Sequence, residues 1–138
     1  MSGKIASTGH EFFDTDSPER VLELNKERYH RLFQWQCISQ IRELLQPIDL
    51  RGKVVLEIGG GAGEFTLEFS RRGAKVATVE LRPVMVEAVR RRIGMHGFDP
   101  AALLCAVGGF TEVELPISGC DLLFAKDVIE HIPDEKTM

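Results

Sequence analysis

The chain has 138 residues, of which 43% are hydrophobic and 28% charged, and its formal net charge is −4. That length supports one domain with a real core, and the composition is ordinary for a globular protein. The acidic balance gives no support to an electrostatically driven nucleic-acid binder, and no run approaches the ~20 apolar residues of a membrane-spanning helix. Residues 1–10 are polar and do not read as a secretory signal. Cys37, Cys105 and Cys120 show no metal or redox spacing. The first two sit among apolar neighbours and read as buried small hydrophobes, so a reducing, cytoplasmic setting is the expectation.

Residues 1–16 carry no periodicity and read as a flexible start, with Phe12 and Phe13 docking on the body. Ser17, Pro18 and Glu19 form a helix start: a cap, a residue suited to the first helical position, and an acid that complements the dipole. Apolar residues from Val21 to Leu45 then recur at helical spacing. A break is foreseen near Tyr29 and His30, and a stop near Gln46 because of Pro47. This segment, 17–49, precedes an α/β unit that starts at residue 50.

Residues 53–58 form a nearly continuous apolar strand, as in parallel sheets buried on both faces. A helix over 63–72 ends at Gly73, and a second strand covers 75–79. A second helix covers 83–95, and its basic run Arg90-Arg91-Arg92 reads as a solvated face. Further strands cover 101–107 and 121–125, and a last helix starts at Asp127. The alternation predicts an α/β fold: a Rossmann-like parallel sheet with helices on both faces. Right-handed crossovers then put the loop after the first strand at the carboxyl ends of the strands, where such sheets bind ligands.

That loop is the most informative stretch. It reads Glu57-Ile58-Gly59-Gly60-Gly61-Ala62-Gly63-Glu64. Glycines let a ligand lie close to the backbone. A dinucleotide site wants a third glycine at position 64 and pyrophosphate on the helix N-terminus. The carboxylate of Glu64 would repel that pyrophosphate, so a nicotinamide dehydrogenase is a disfavoured alternative. Glu80 closes the second strand, where a carboxylate can accept both hydroxyls of a ribose.

These residues resemble the class I S-adenosylmethionine-dependent methyltransferases. The resemblance rests on Val54 to Gly63, on Glu80, and on Leu115-Pro116 followed by Cys120 to Asp134, which looks like the fourth-strand motif of small-molecule methyltransferases. It implies that Gly59, Gly60, Gly61 and Gly63 lie against the methionine and ribose part of S-adenosyl-L-methionine, with Glu57 orienting the site. It further implies that Glu80 holds the ribose, Leu81 packs on the adenine, and the backbone of Ala125 and Lys126 meets the methionine amino group. An acid usually follows the third strand in that family. Here Gly109 takes its position, or Glu112 serves after a register shift.

Asp127, Glu130 and His131 share one helical face. They read as a capped helix start rather than a metal site, so no metal ligand is expected. His131 is the candidate catalytic group, a base for an acceptor that must lose a proton. Tyr29 and Trp35 read as helix core, with cofactor cover as the alternative.

The family's sheet has seven strands, and the patterns here supply four. Residues 50–138 are therefore expected to be an incomplete S-adenosylmethionine-binding domain, with the acceptor half largely missing. A small-molecule methyl acceptor is the expected partner, without nucleic acid or membrane. A homodimer or partner chain covering the edge of the fourth strand is also foreseen. The alternative from another class is a non-catalytic Rossmann-like fragment that serves as a binding or dimerisation module.

Overall fold

The computed structural model describes residues 11–29 and 32–128. Five α-helices and four strands are seen there: α1 (Glu11–Asp14), α2 (Pro18–Tyr29), α3 (Leu32–Leu45), β1 (Val54–Ile58), α4 (Glu64–Arg71), β2 (Lys75–Glu80), α5 (Pro83–Met95), β3 (Leu104–Val107) and β4 (Leu122–Ala125). A short 3-10 turn, Pro100–Ala102, precedes β3.

Local chemistry accounts for several element ends. The Ser17 hydroxyl accepts the Arg20 N–H at 3.2 Å, which caps α2. At the end of α3, Arg72 donates to the carbonyls of Leu45 and Ile48, each at 2.6 Å, and so satisfies acceptors that the helix leaves open. Gly73 closes α4 with φ near 80°. Pro83 opens α5 at its first turn.

All strand pairs are parallel, in the order β3-β2-β1-β4. β1 therefore has β2 on one side and β4 on the other, and it is the point where the strand order reverses. In open α/β sheets the ligand crevice opens at that point, beyond the carboxyl end of the strand. The loop in that position is 59–63.

Side chains alternate across the sheet. Val55, Val76, Leu122, Phe124 and Cys105 pack with α3, α4 and α5 in one core built around Phe65, Phe69, Val89 and Ile93. Phe124 packs tilted against Phe65 and edge-to-face against Phe69, with ring centroids 5.0 and 5.1 Å away. A second cluster joins Phe12 and Val21 of the N-terminal helices to Ala62, Val84, Met85 and Ala88. The other sheet face carries Leu104, Ala77, Leu56 and Leu123 in one row. The 108–121 loop approaches it, and Phe110, Val113, Leu115 and Ile117 line a groove with Leu56.

Several details depart from the sequence reading. Residues 11–14 form a helical turn where a flexible start was expected, and Phe12 is buried, in line with its expected docking on the body. The side chain of Phe13 lies outside the described residues. The long N-terminal helix is two helices, as the foreseen break near Tyr29 allows. Trp35 is exposed rather than core, and Cys37 and Cys105 are half-buried. The basic run of α5 is solvated only in part: Arg91 is exposed and pairs with Glu19 of α2, and Arg92 donates to the Asn25 side-chain oxygen. The helix expected after Asp127 lies outside the described residues.

Candidate functional site

The site is built on β1 and the turn that follows it. Gly59 donates to Val79 O at 2.8 Å, which carries the β1–β2 ladder one residue into the turn. Gly63 donates to Gly60 O at 2.9 Å, and α4 begins at the next residue. Gly59, Gly61 and Gly63 take left-handed φ values of 71°, 57° and 86°.

Glu57 lies under this turn and is only 2% exposed. Its Oε1 accepts the hydroxyl of Thr78 from β2 at 3.1 Å and the hydroxyl of Thr66 from α4. Burial pushes its carboxyl up to about 7, although the two hydroxyl bonds pull the other way. A Cβ at Gly60 would stand 2.5 Å from Thr78 Oγ1 and 3.0 Å from Glu57 Oε1, so the backbone rests directly on this acid–hydroxyl group. Glu57 therefore supports the turn from below, against Gly60.

Glu80 stands at the carboxyl end of β2. Its Oε2 accepts the Gly61 N–H at 3.0 Å, and its Oε1 accepts the Leu81 N–H at 2.9 Å. Each oxygen keeps a second lone pair. Burial raises its pKa, against the two backbone bonds and the charge of Arg82. A Cβ at Gly61 would meet nothing within 4 Å, so this residue borders open space beside the Glu80 carboxylate. Leu81, 63% exposed, presents an apolar side chain next to it.

The remaining candidates converge on the same end of the sheet. Gly108 donates to Glu80 O at 2.9 Å, which brings the loop after β3 beside Glu80. A turn there folds Glu112 back: its carboxylate lies 3.3 Å from where a Gly109 Cβ would be. Ala125 pairs in register with Ile58, so the end of β4 flanks Gly59. A Cβ on Gly59 would meet Val128 Cγ2 at 2.5 Å, which brings the segment beyond β4 onto the turn. Lys126 forms an ion pair with Asp127, and Asp127 has φ near 55°. Glu130 and His131 lie outside the described residues.

The structure thus places the four glycines, Glu80, Leu81, Glu112, Ala125 and Lys126 at the carboxyl end of the sheet, with Glu57 buried beneath the turn. Thr66, Thr78 and Asn25 were not anticipated. Threonines at helix and strand positions carry no local mark of partnering an acid. Asn25 could have been noticed as a polar residue on the apolar side of its helix.

The comparisons agree with this geometry. A methyltransferase-domain family matches residues 56–138. A ubiquinone biosynthesis O-methyltransferase of Xanthomonas oryzae is 25% identical over 95% of this chain and 49% of its own length. A probable ribosomal RNA small subunit methyltransferase A of Methanospirillum hungatei is 34% identical over 63% of this chain and 32% of its own. Among solved structures, a SAM-dependent methyltransferase from Aquifex aeolicus superposes with a TM-score of 0.59 at 18% identity, over 70% of this chain and 52% of that one. The chain belongs to the methyltransferase-domain family, with the Rossmann-like fold of the class I S-adenosylmethionine-dependent enzymes. It spans about half the length of curated relatives that match most of it.

Proposed function

We propose that this chain binds S-adenosyl-L-methionine in the crevice above Gly59–Gly63 and serves methyl transfer to a small-molecule acceptor. The observation that carries the reading is the Glu80 carboxylate. It is fixed by the N–H groups of Gly61 and Leu81, and it keeps one free lone pair on each oxygen beside open space. Two adjacent acceptors suit the two hydroxyls of a ribose.

The other residues fit the same ligand. Gly61 leaves room for a group lying against the backbone. The exposed Leu81 offers an apolar surface for a flat base. Glu112, folded over Gly109, supplies a carboxylate from three residues downstream where the family usually has its acid. The main chain at Ala125 and Lys126 would receive the methionine amino group. Glu64, whose carboxylate accepts from Asn25, opposes a phosphate at the start of α4.

When bound, the sulfonium supplies an activated methyl group. What the protein must add is chiefly orientation of the acceptor in line with it. His131 remains the proposed base for an acceptor that must lose a proton. Support for a small-molecule acceptor comes from the net charge of −4 and from the quinone-pathway relative. The cytoplasm is the proposed location, and residues 50–138 the proposed cofactor-binding unit. Among the described residues no helix is long and apolar enough to cross a membrane.

Calorimetry with S-adenosylhomocysteine on the 138-residue chain tests the reading. Saturable binding is expected, and Glu80→Ala should weaken it by about 1–3 kcal/mol. Unchanged affinity in a folded Glu80→Ala variant would overturn the ribose assignment. No binding by the folded wild type would remove the cofactor reading, and saturable binding of NADH would favour a dinucleotide site. Methylation of structured RNA but of no hydroxylated aromatic compound would overturn the choice of acceptor. Binding without transfer to either would favour a non-catalytic module.

A further inference from the structure

Asn25 is 5% exposed, although it lies on a helix outside the sheet domain. Both ends of its amide are engaged by different elements. Its Nδ2 donates to the carboxylate of Glu64, the first residue of α4, and its Oδ1 accepts from Arg92 of α5. The orientation is chemically determined, because a carboxylate only accepts and a guanidinium only donates.

Glu64 directly follows the glycine turn. Gly63, the cap residue of α4, has φ near 86° and provides no side-chain cap. A run this rich in glycine has a large conformational entropy to lose, so restraints from outside decide how well it is ordered. Two such restraints come from the N-terminal helices: Phe12 and Val21 pack with Ala62, and Asn25 holds Glu64.

We propose that Asn25 is a positioning residue for the glycine turn. It clamps the first residue of α4 to α2, so that docking of the N-terminal helices and the geometry of the crevice are set together. The consequence for ligand affinity rests on the cofactor reading above; the consequence for the order of the turn does not.

The test uses Asn25→Asp, Glu64→Gln and the two combined, each followed by amide hydrogen exchange without ligand and by calorimetry with S-adenosylhomocysteine. Asn25→Asp keeps the acceptor for Arg92 but sets two carboxylates face to face. It should speed exchange of the 61–65 amides and weaken the ligand, each by about tenfold. The double variant reverses the direction of the bond: the amide introduced at position 64 donates to the carboxylate introduced at position 25. It should return both readouts to within about threefold of wild type. A double variant no better than Asn25→Asp overturns the proposal. So does faster exchange spread evenly over the whole protein, which is what a merely structural residue would give. If Asn25→Asp does not fold, Glu64→Ala removes the same clamp from its other end. Wild-type exchange at the turn in that variant is then the overturning result. A wild type that fails to bind S-adenosylhomocysteine overturns the cofactor reading alone, and the exchange data still decide the role of Asn25.

Discussion

The carboxyl group of Glu57 is enclosed between a strand and a helix, and its titration makes it readable from outside. The unfolded chain releases its proton near 4.5, whereas the folded protein holds it until about 7. Between those values the native state binds more protons than the unfolded state, so stability falls as pH rises through that window. The full loss is on the order of 3 kcal/mol. Glu80 is shifted in the same direction and adds to the slope. Glu57→Gln keeps an oxygen for both threonine hydroxyls and has no proton to release. Urea unfolding from about pH 5 to about pH 8 should show the wild type losing stability and the variant losing clearly less. Equal slopes in the two proteins would contradict the burial argument. The position of this acid before a glycine turn was legible in the sequence. Its downward-facing role was not, because Thr66 and Thr78 reach it from elements that meet only in the fold.

At the scale of elements, the β1–turn–α4–β2 unit was legible almost residue by residue. An apolar run, a glycine cluster, an amphipathic segment and a second apolar run each carry their own local signal. Two adjacent glycines of the turn do different things, and substitution separates them. Gly60→Ala drives a methyl into the Thr78–Glu57 group and should cost at least about 2 kcal/mol of stability. Gly61→Ala meets open space and costs about 1 kcal/mol for its left-handed backbone. Its larger effect should fall on S-adenosylhomocysteine affinity, because the added methyl enters the space proposed for the ligand. Thermal melts and calorimetry on both variants check this; the reverse pattern would exchange the roles of the two residues. The basic run of α5 shows the limit of reading elements singly. Arg90-Arg91-Arg92 looks solvated in the sequence, and Arg91 is exposed, yet Arg91 and Arg92 also bond side chains of α2.

For the whole molecule, the two faces of the sheet differ in what covers them. Phe124 faces α4 and packs against two aromatic rings, while its neighbour Leu123 points the other way and is 52% exposed. Phe124→Ala should cost about 3 kcal/mol. Leu123→Thr, one residue earlier, should stay within about 0.5 kcal/mol. Chemical denaturation of the two variants measures the contrast, and equal losses would mean that the second face is packed as tightly as the first. The strand order places the turn. Because β1 is flanked by β2 and β4, the glycine turn opens where the chain reverses its direction across the sheet.

The sequence by itself determined the strand and helix order, the glycine turn and the acid at Glu80, because each is written in local period and turn chemistry. It also carried the family resemblance, since each motif is a short contiguous stretch of chain. Only the tertiary structure decided that Glu57 accepts from Thr66 and Thr78 beneath Gly60, and that Asn25 of α2 donates to Glu64 at the start of α4. Those contacts join residues that are distant in sequence and have no period in common. Their partners are selected by the packing of α2, α4 and α5 rather than by any local preference.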